Sequence, residues 1–285
     1  MKLGLTVPYT DDVARESTRA FVQAADRLGY DKIWVAEAYG WDAFTVLTEM
    51  ACQTERIQLA TGIAGHQVVA GWHGVPFERG VRRMRETMEI VRTVLRRDRL
   101  AYEGEVFRLD MGLKLITHPV RDRIPIYLAT LTPSGLALAG ELADGWLPVF
   151  FSPGHFEAVL RPQLERGAQR SGRSLDELSI CVSQPVVVTD DVDAGRDSVR
   201  PQLALYIGGM GSRERNYYNQ LFRRYGFEAE AERIQDLYLS RRREEAMAAI
   251  TTEMIDLVTG LRVPGGGPDA VLEALEALAP ERAAA

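Results

Sequence analysis

The sequence predicts an α/β barrel, and three observations point there. Short apolar strand segments alternate with amphipathic helices along the chain, the signature of βαβ crossovers and a parallel sheet. No Gly-x-Gly-x-x-Gly follows the first strand, where Val7-Pro8-Tyr9-Thr10 stands instead, which disfavours an open dinucleotide-binding sheet. The residues that break the apolar pattern, Glu37, Thr61-Gly62, 130–135 and Phe151-Ser152, fall on loops after strands, where a barrel carries its site.

Residues 3–7 read as a buried strand closed by Pro8. An amphipathic helix follows, with Phe21, Ala24, Ala25 and Leu28 on one stripe and Gly29 past its end. Residues 33–36 are the second strand, and Asp42 is the N-cap of a helix running to Cys52. Residues 57–62 make the third strand. Val81, Met84, Met88, Val91 and Leu95, at 3,4,3,4 spacing, mark a helix over 81–95. Strands follow at 124–129, 145–150 and 178–182, with a helix over 136–143 between the first two. The whole chain, 1–285, is expected to be a single barrel domain with a helical insertion at about 190–256.

The chain is 46% hydrophobic and 26% charged, with a net charge of −6, which argues against nucleic acid or an anionic membrane as partner. The basic runs Arg96-Arg97 and Arg241-Arg242-Arg243 are short and lie beside acids, as solvated helix faces do. Cys52 and Cys181 are far apart among apolar neighbours and read as buried thiols of a reducing compartment. No pair of histidines has metal-ligand spacing. The N-terminus carries one charge and a very short apolar run, a first strand rather than a signal peptide. A cytoplasmic location is expected.

Five segments together carry a family resemblance. They are Trp34-Val35-Ala36-Glu37-Ala38-Tyr39-Gly40-Trp41-Asp42-Ala43-Phe44, Arg56-Ile57-Gln58-Leu59-Ala60-Thr61-Gly62-Ile63, Gln67-Val68-Val69-Ala70-Gly71-Trp72-His73-Gly74-Val75-Pro76, Leu138-Ala139-Gly140-Glu141-Leu142-Ala143-Asp144-Gly145-Trp146-Leu147-Pro148 and Leu205-Tyr206-Ile207-Gly208-Gly209-Met210-Gly211. In this order they resemble the luciferase-like monooxygenase superfamily, in its F420-dependent (deazaflavin) oxidoreductase branch. The resemblance implies a barrel of the bacterial-luciferase type and coenzyme F420 as cofactor, with FMN as the alternative ring. It also implies hydride transfer to or from a small organic substrate, and a homodimer formed through barrel helices, with the helices of Phe44 to Cys52 and of Met84 and Met88 as candidates. Glu37, Thr61, Gly62, Ile63, Gln67 and Val68 would line the ring, with a non-proline cis peptide near Gly62. Ala129, Thr130, Leu131, Thr132, Ser134 and Gly135 would hold the phosphate tail at a helix N-terminus, though an ordinary capped helix start reads the same way.

The chain departs from the family where the chemistry is expected. The family often has an acidic residue followed by His at the end of strand two; here Ala38 follows Glu37, so that imidazole is absent. Glu37, Tyr39 and His66 are the candidate catalytic residues. Tyr39 is either a phenolic proton donor or a pocket wall, and His66, standing where the subgroup usually has proline, is either a proton donor or a surface residue. His73 reads as structural, and His118 and His155 carry no motif. Tyr39, Trp41, Trp72, Phe150 and Phe151 point to an aromatic or polycyclic ligand or, equally, to core packing.

The barrel is also short of pieces. Only Ala64-Gly65-His66 separates Ile63 from Gln67, where the family has a helix and a fourth strand, and a parallel crossover needs about a dozen residues. After 262–268 there is room for one helix, 270–278, but not for a last strand and final helix. Residues 107–114 are shorter than the family's insertion there. The expectation is therefore an incomplete barrel, with a non-catalytic flavin-binding or scaffold protein as the rival to an enzyme.

Overall fold

A computed structural model describes residues 2–7, 15–189 and 191–263. The expected helix at 270–278, and Pro8, expected to close the first strand, lie outside the described residues. Residues 1–76, 186–198 and 260–285 make one compact unit, and 77–185 with 199–259 a second.

In the first unit, β1 (Gly4–Thr6), β2 (Lys32–Val35) and β3 (Gln58–Thr61) pair in parallel, in that order. Helices α1 (Arg15–Arg27) and α2 (Ala43–Ala51) make the crossovers. The apolar spacing works as expected. Val22 and Ala25 of α1, Ile33 and Val35 of β2, and Leu47 and Met50 of α2 share one core, with Phe21 and Leu28 packed on its edge. Gly29 takes φ +79°, the left-handed conformation that ends α1. Asp42 caps α2 by accepting from the Thr45 N–H at 2.7 Å. Asp26 fastens the entry to β3 by accepting from the Glu55, Arg56 and Ile57 N–H groups. Cys52 follows the last turn of α2 and is exposed, and Cys181 is half-buried, so the expectation of two buried thiols is corrected. Past β3 the chain goes directly into a wide helical turn, Gln67–Trp72, closed by an i→i+5 bond from His73 N to Val68 O. Among the described residues no strand lies between β3 and Gly80.

The second unit begins with α3 (Gly80–Leu95) and a hairpin of β4 (Leu100–Glu103) and β5 (Arg108–Leu113). The buried Glu86 of α3 accepts from the N–H groups of Glu105, Val106 and Phe107 at 2.8–3.0 Å, fixing the hairpin turn to the helix. A second parallel sheet follows: β6 (Tyr127–Leu128), β7 (Gly145–Trp146) and β8 (Ser179–Ile180). These strands are shorter than the apolar runs that predict them. Pro125 and Pro148 lack the N–H a ladder needs, although single bonds (Leu147 N to Leu128 O, Ser183 N to Pro148 O) carry the pairing on. Helix α4 (Pro133–Leu142) crosses the helix Arg161–Arg170 backbone to backbone. A Cβ on Gly140 would stand 2.0 Å from Leu164 O, and one on Gly167 would stand 1.8 Å from Ala137 O.

Helices run from Val192 to Val258. β9 (Val186–Val188) pairs in parallel with β10 (Gly260–Val263) in the first unit. Among the described residues the strands form four separate sheets and close no ring.

Candidate functional site

Within the first unit the ends of β2 and β3 lie side by side, joined by a 2.8 Å bond from Gly62 N to Val35 O. The Gly62–Ile63 peptide is cis, at the position where the resemblance implies one. Glu37, two residues past β2, is fixed on both oxygens: Oε2 accepts from the Ala43 N–H at 2.8 Å, and Oε1 lies 3.2 Å from His73 Nε2. No His directly follows Glu37 in sequence, but the imidazole of His73, 36 residues on, lies against its carboxylate. Tyr39 and Trp72 meet edge to face, ring centroids 6.2 Å apart, and both are well exposed at 58% and 61%. Trp41 and Phe44 are exposed as well. His66 is exposed at the start of the wide turn, Gln67 is half-buried and Val68 is buried.

Within the second unit the loop 129–135 runs from β6 into α4. Thr132 is the N-cap of α4, its Oγ1 accepting from the Gly135 N–H at 3.1 Å. Trp146 Nε1 donates to Thr130 O, and Arg224 Nη2 donates to Leu131 O. The loop packs so closely that a Cβ on Gly135 would stand 1.9 Å from Thr130 Oγ1. Two of the groups expected to hold phosphate, the Thr132 hydroxyl and the Gly135 N–H, therefore satisfy each other, and Ser134 remains exposed.

The aromatic residues divide. Tyr39, Trp41 and Trp72 stand in the open, whereas Phe150 is buried among Tyr206, Tyr218 and Phe222. Phe150 takes φ +53°, and its carbonyl accepts from the Tyr225 hydroxyl, whose pKa burial pushes up to about 12. The segment Leu205 to Gly211 also proves to be packing. It forms a second wide turn, Leu205–Gly209, whose Tyr206 and Ile207 carbonyls are taken up by the amides of buried Asn216 and Asn219. Gly208 and Gly209 lie flat against the Tyr238 side chain.

Among the described residues no three His, Cys, Asp or Glu side chains stand close enough to hold a metal ion, and no helix is long and apolar enough to cross a membrane. Sequence reasoning singled out Glu37 and the loop 129–135 but missed the His73 contact and Arg224. Neither leaves a local signal, because each depends on a partner many residues away.

An α/β fold with parallel strands whose C-terminal ends carry polar and aromatic groups defines the class, and comparison with known proteins narrows it. The luciferase-like monooxygenase family matches residues 1–65 and 63–283. The chain belongs to that family. It is 35% identical over 301 aligned positions, covering 90% of this chain and 86% of the relative, to a Mycobacterium tuberculosis protein named as a coenzyme F420-dependent oxidoreductase. It is 25% identical over 315 positions, covering 98% and 90%, to the 5,10-methylenetetrahydromethanopterin reductase of Archaeoglobus fulgidus. Among solved structures, the coenzyme F420-dependent tetrahydromethanopterin reductase of Methanopyrus kandleri shares the fold, with TM-score 0.77, 20% identity, and coverage of 96% of this chain and 97% of that one.

Proposed function

We propose that this chain is an F420-dependent oxidoreductase that moves a hydride between the deazaflavin and a small organic substrate, aromatic or polycyclic compounds being the first to test. The observation that carries the reading is the 35% identity, over 90% of the chain, to a protein named for F420 dependence. Two features of this structure suit a ring with an anionic tail. One is the glycine of the loop 129–135, where a side chain has no room; the other is a guanidinium beside that loop with an unpartnered buried nitrogen.

When bound, the deazaflavin supplies the carbon that gives or takes the hydride; the protein orients and shields it. Glu37, Thr61, Gly62, Ile63, Gln67 and Val68 are assigned to the ring side. Ala129, Thr130, Leu131, Thr132, Ser134 and Gly135 are assigned to the phosphate side. Glu37 fixes the His73 imidazole, and His73, Tyr39 and His66 are the groups at hand to hold or release the substrate's proton. The test is equilibrium titration of the purified protein with F420 and with FMN, followed by a screen for turnover. F420 is expected to bind more tightly; tighter FMN binding would overturn the assignment and favour an FMN-dependent monooxygenase.

A second reading, a ring-binding protein without turnover, is favoured by Ala38 after Glu37 and by the shortening of the chain. Both alignments, at 301 and 315 positions, exceed the 285 residues present, so each relative has residues that this chain lacks. The two family matches meet at 63–65, where a helix and strand are expected to be missing. These points support a single but incomplete barrel domain with its helical insertion at about 190–256. The same reading takes the protein as a cytoplasmic homodimer. Phe44 on α2 is available to a partner, whereas Met88 of α3 is buried in its own unit. Light scattering across a wide concentration range checks the dimer, and a monomer throughout would rule it out.

A further inference from the structure

Among the described residues, one cation of the second unit, Arg224, has no counter-ion. Arg224 ends the helix Tyr217–Arg224, which buried Leu221 and Phe222 anchor and Asn216 caps through the Tyr218 and Asn219 N–H groups. Its Nε donates to Gln220 O at 3.3 Å and its Nη2 to Leu131 O at 2.5 Å, both neutral carbonyls. Its Nη1 is buried with no hydrogen-bond partner. The neighbouring Arg223 has what Arg224 lacks, an ion pair with Glu228 at 3.6 Å and a bond to Asn219 Oδ1.

A guanidinium remains protonated in proteins, and a buried donor nearly always has an acceptor. A charge held partly away from water without an opposite charge is costly, and Arg224 is half-buried. Burial also draws the pKa of Arg224 downward, as expected of a cation taken from water without compensation. Among the described residues nothing supplies the missing acceptor, and an anion is the group that suits a guanidinium fork best.

The place of Arg224 says which ligand. Its Nη2 is bonded to Leu131, inside the loop 129–135, so the charge stands at the start of α4. There Ser134 is exposed, and its N–H is one that the first turn of a helix leaves without an intrahelical partner. Pro133 offers no N–H, and that of Gly135 is already taken. A phosphate oxygen meeting Ser134 and the guanidinium fork would satisfy both.

We infer that Arg224 supplies the counter-charge for the phosphate tail of the ring cofactor and so decides whether tailed or tail-free rings bind. This rests on the proposed F420 reading, which assigns the tail to this loop.

The test titrates the full chain and its Arg224→Gln and Arg224→Lys variants with F420 and with 8-hydroxy-5-deazariboflavin, the same ring without the phosphate. Arg224→Gln is expected to weaken F420 about tenfold or more and the tail-free ring less than about twofold, with Arg224→Lys recovering part of the loss. Glutamine can still donate to Leu131 O, so loss of loop support alone would not give this pattern. Equal weakening of both rings, or unchanged F420 affinity, would overturn the inference and leave the F420 reading standing. No binding of F420 by the wild type would overturn both. If Arg224→Gln fails to fold, salt dependence of the wild type decides. F420 affinity must fall with ionic strength while that of the tail-free ring holds, and parallel behaviour of the two overturns the inference.

Discussion

At the ends of β2 and β3, Tyr39 and Trp72 stand in solvent, and a carboxylate holds an imidazole across 36 positions of sequence. At the end of β6 the side chains turn inward instead. Thr130 and Thr132 fill the space over Gly135, Trp146 and Arg224 hold the loop's carbonyls, and Ser134 alone of the two threonines and one serine is exposed. Both are strand-end surfaces of one family fold, yet the first spends apolar area on the open and the second spends none. An open aromatic surface tolerates different substrates, whereas a tightly packed polar loop accepts one chemical group. On the proposed reading, the open surface would serve the substrate and the packed loop the cofactor's anionic tail.

The sharpest way to break this comparison is at Gly62. A Gly62→Val side chain would enter the space over the β2 and β3 ends, and cofactor affinity is expected to drop by about a hundredfold with little change in melting temperature. Wild-type affinity in a folded variant would show that the open surface has no part in ring binding. Next is Gly167, on the helix that packs against α4, which carries the packed loop. Gly167→Ala drives a methyl group into the Ala137 carbonyl and is expected to cost about 2–3 kcal/mol of stability, read by denaturant unfolding. A neutral result would mean that α4 and its neighbour can slide apart freely, and that the loop is not rigidly mounted.

Glu37→Gln tests the open side alone. Turnover is expected to fall about tenfold as His73 loses its charged partner, while cofactor affinity changes less than about threefold. A loss confined to affinity would leave Glu37 as a ring-side residue with no role in positioning His73. The smallest expected effect concerns Glu86. Burial alone would raise the pKa of this carboxyl, but three backbone N–H donors outweigh it and the net shift is downward. A carboxyl depressed in the fold stabilises it above the unfolded pKa, and that contribution is lost as pH falls through the folded value. The Glu86→Gln protein should therefore show a weaker loss of stability on acidification below about pH 4 than the wild type. Parallel acid profiles would show that the hairpin does not depend on the charge.

Much of this was legible in sequence because it is local. The α1 stripe with Gly29 and the Asp42 cap both follow from spacings of a few residues, and both hold. The cis peptide at Gly62 was reachable only through family resemblance. The contacts that define the two surfaces were not legible. Arg224 and Leu131 are 93 residues apart and Glu37 and His73 are 36 apart, and no periodicity encodes which pairs a fold brings together. The strand lengths were overread because Ile124-Pro125-Ile126 and Leu147-Pro148-Val149 have strand composition but lack a donor at proline. The segment Leu205 to Gly211 contributed to the family resemblance as one of five, and in the structure its Gly208 and Gly209 seat on the Tyr238 side chain.

The carboxylate under the β4–β5 turn has a consequence for local opening. Turn amides ordinarily face water and exchange their protons quickly, since little has to move to expose them. Here the N–H groups of Glu105, Val106 and Phe107 all point at Glu86, and the Gly104 N–H is bonded to Phe107 O. To free any of the three, the turn must lift off α3 and leave a buried carboxylate without donors. These amides should therefore exchange together, at a rate set by the detachment of the whole tip, and more slowly than the Gly172 N–H, which bonds the Gln169 carbonyl three residues back.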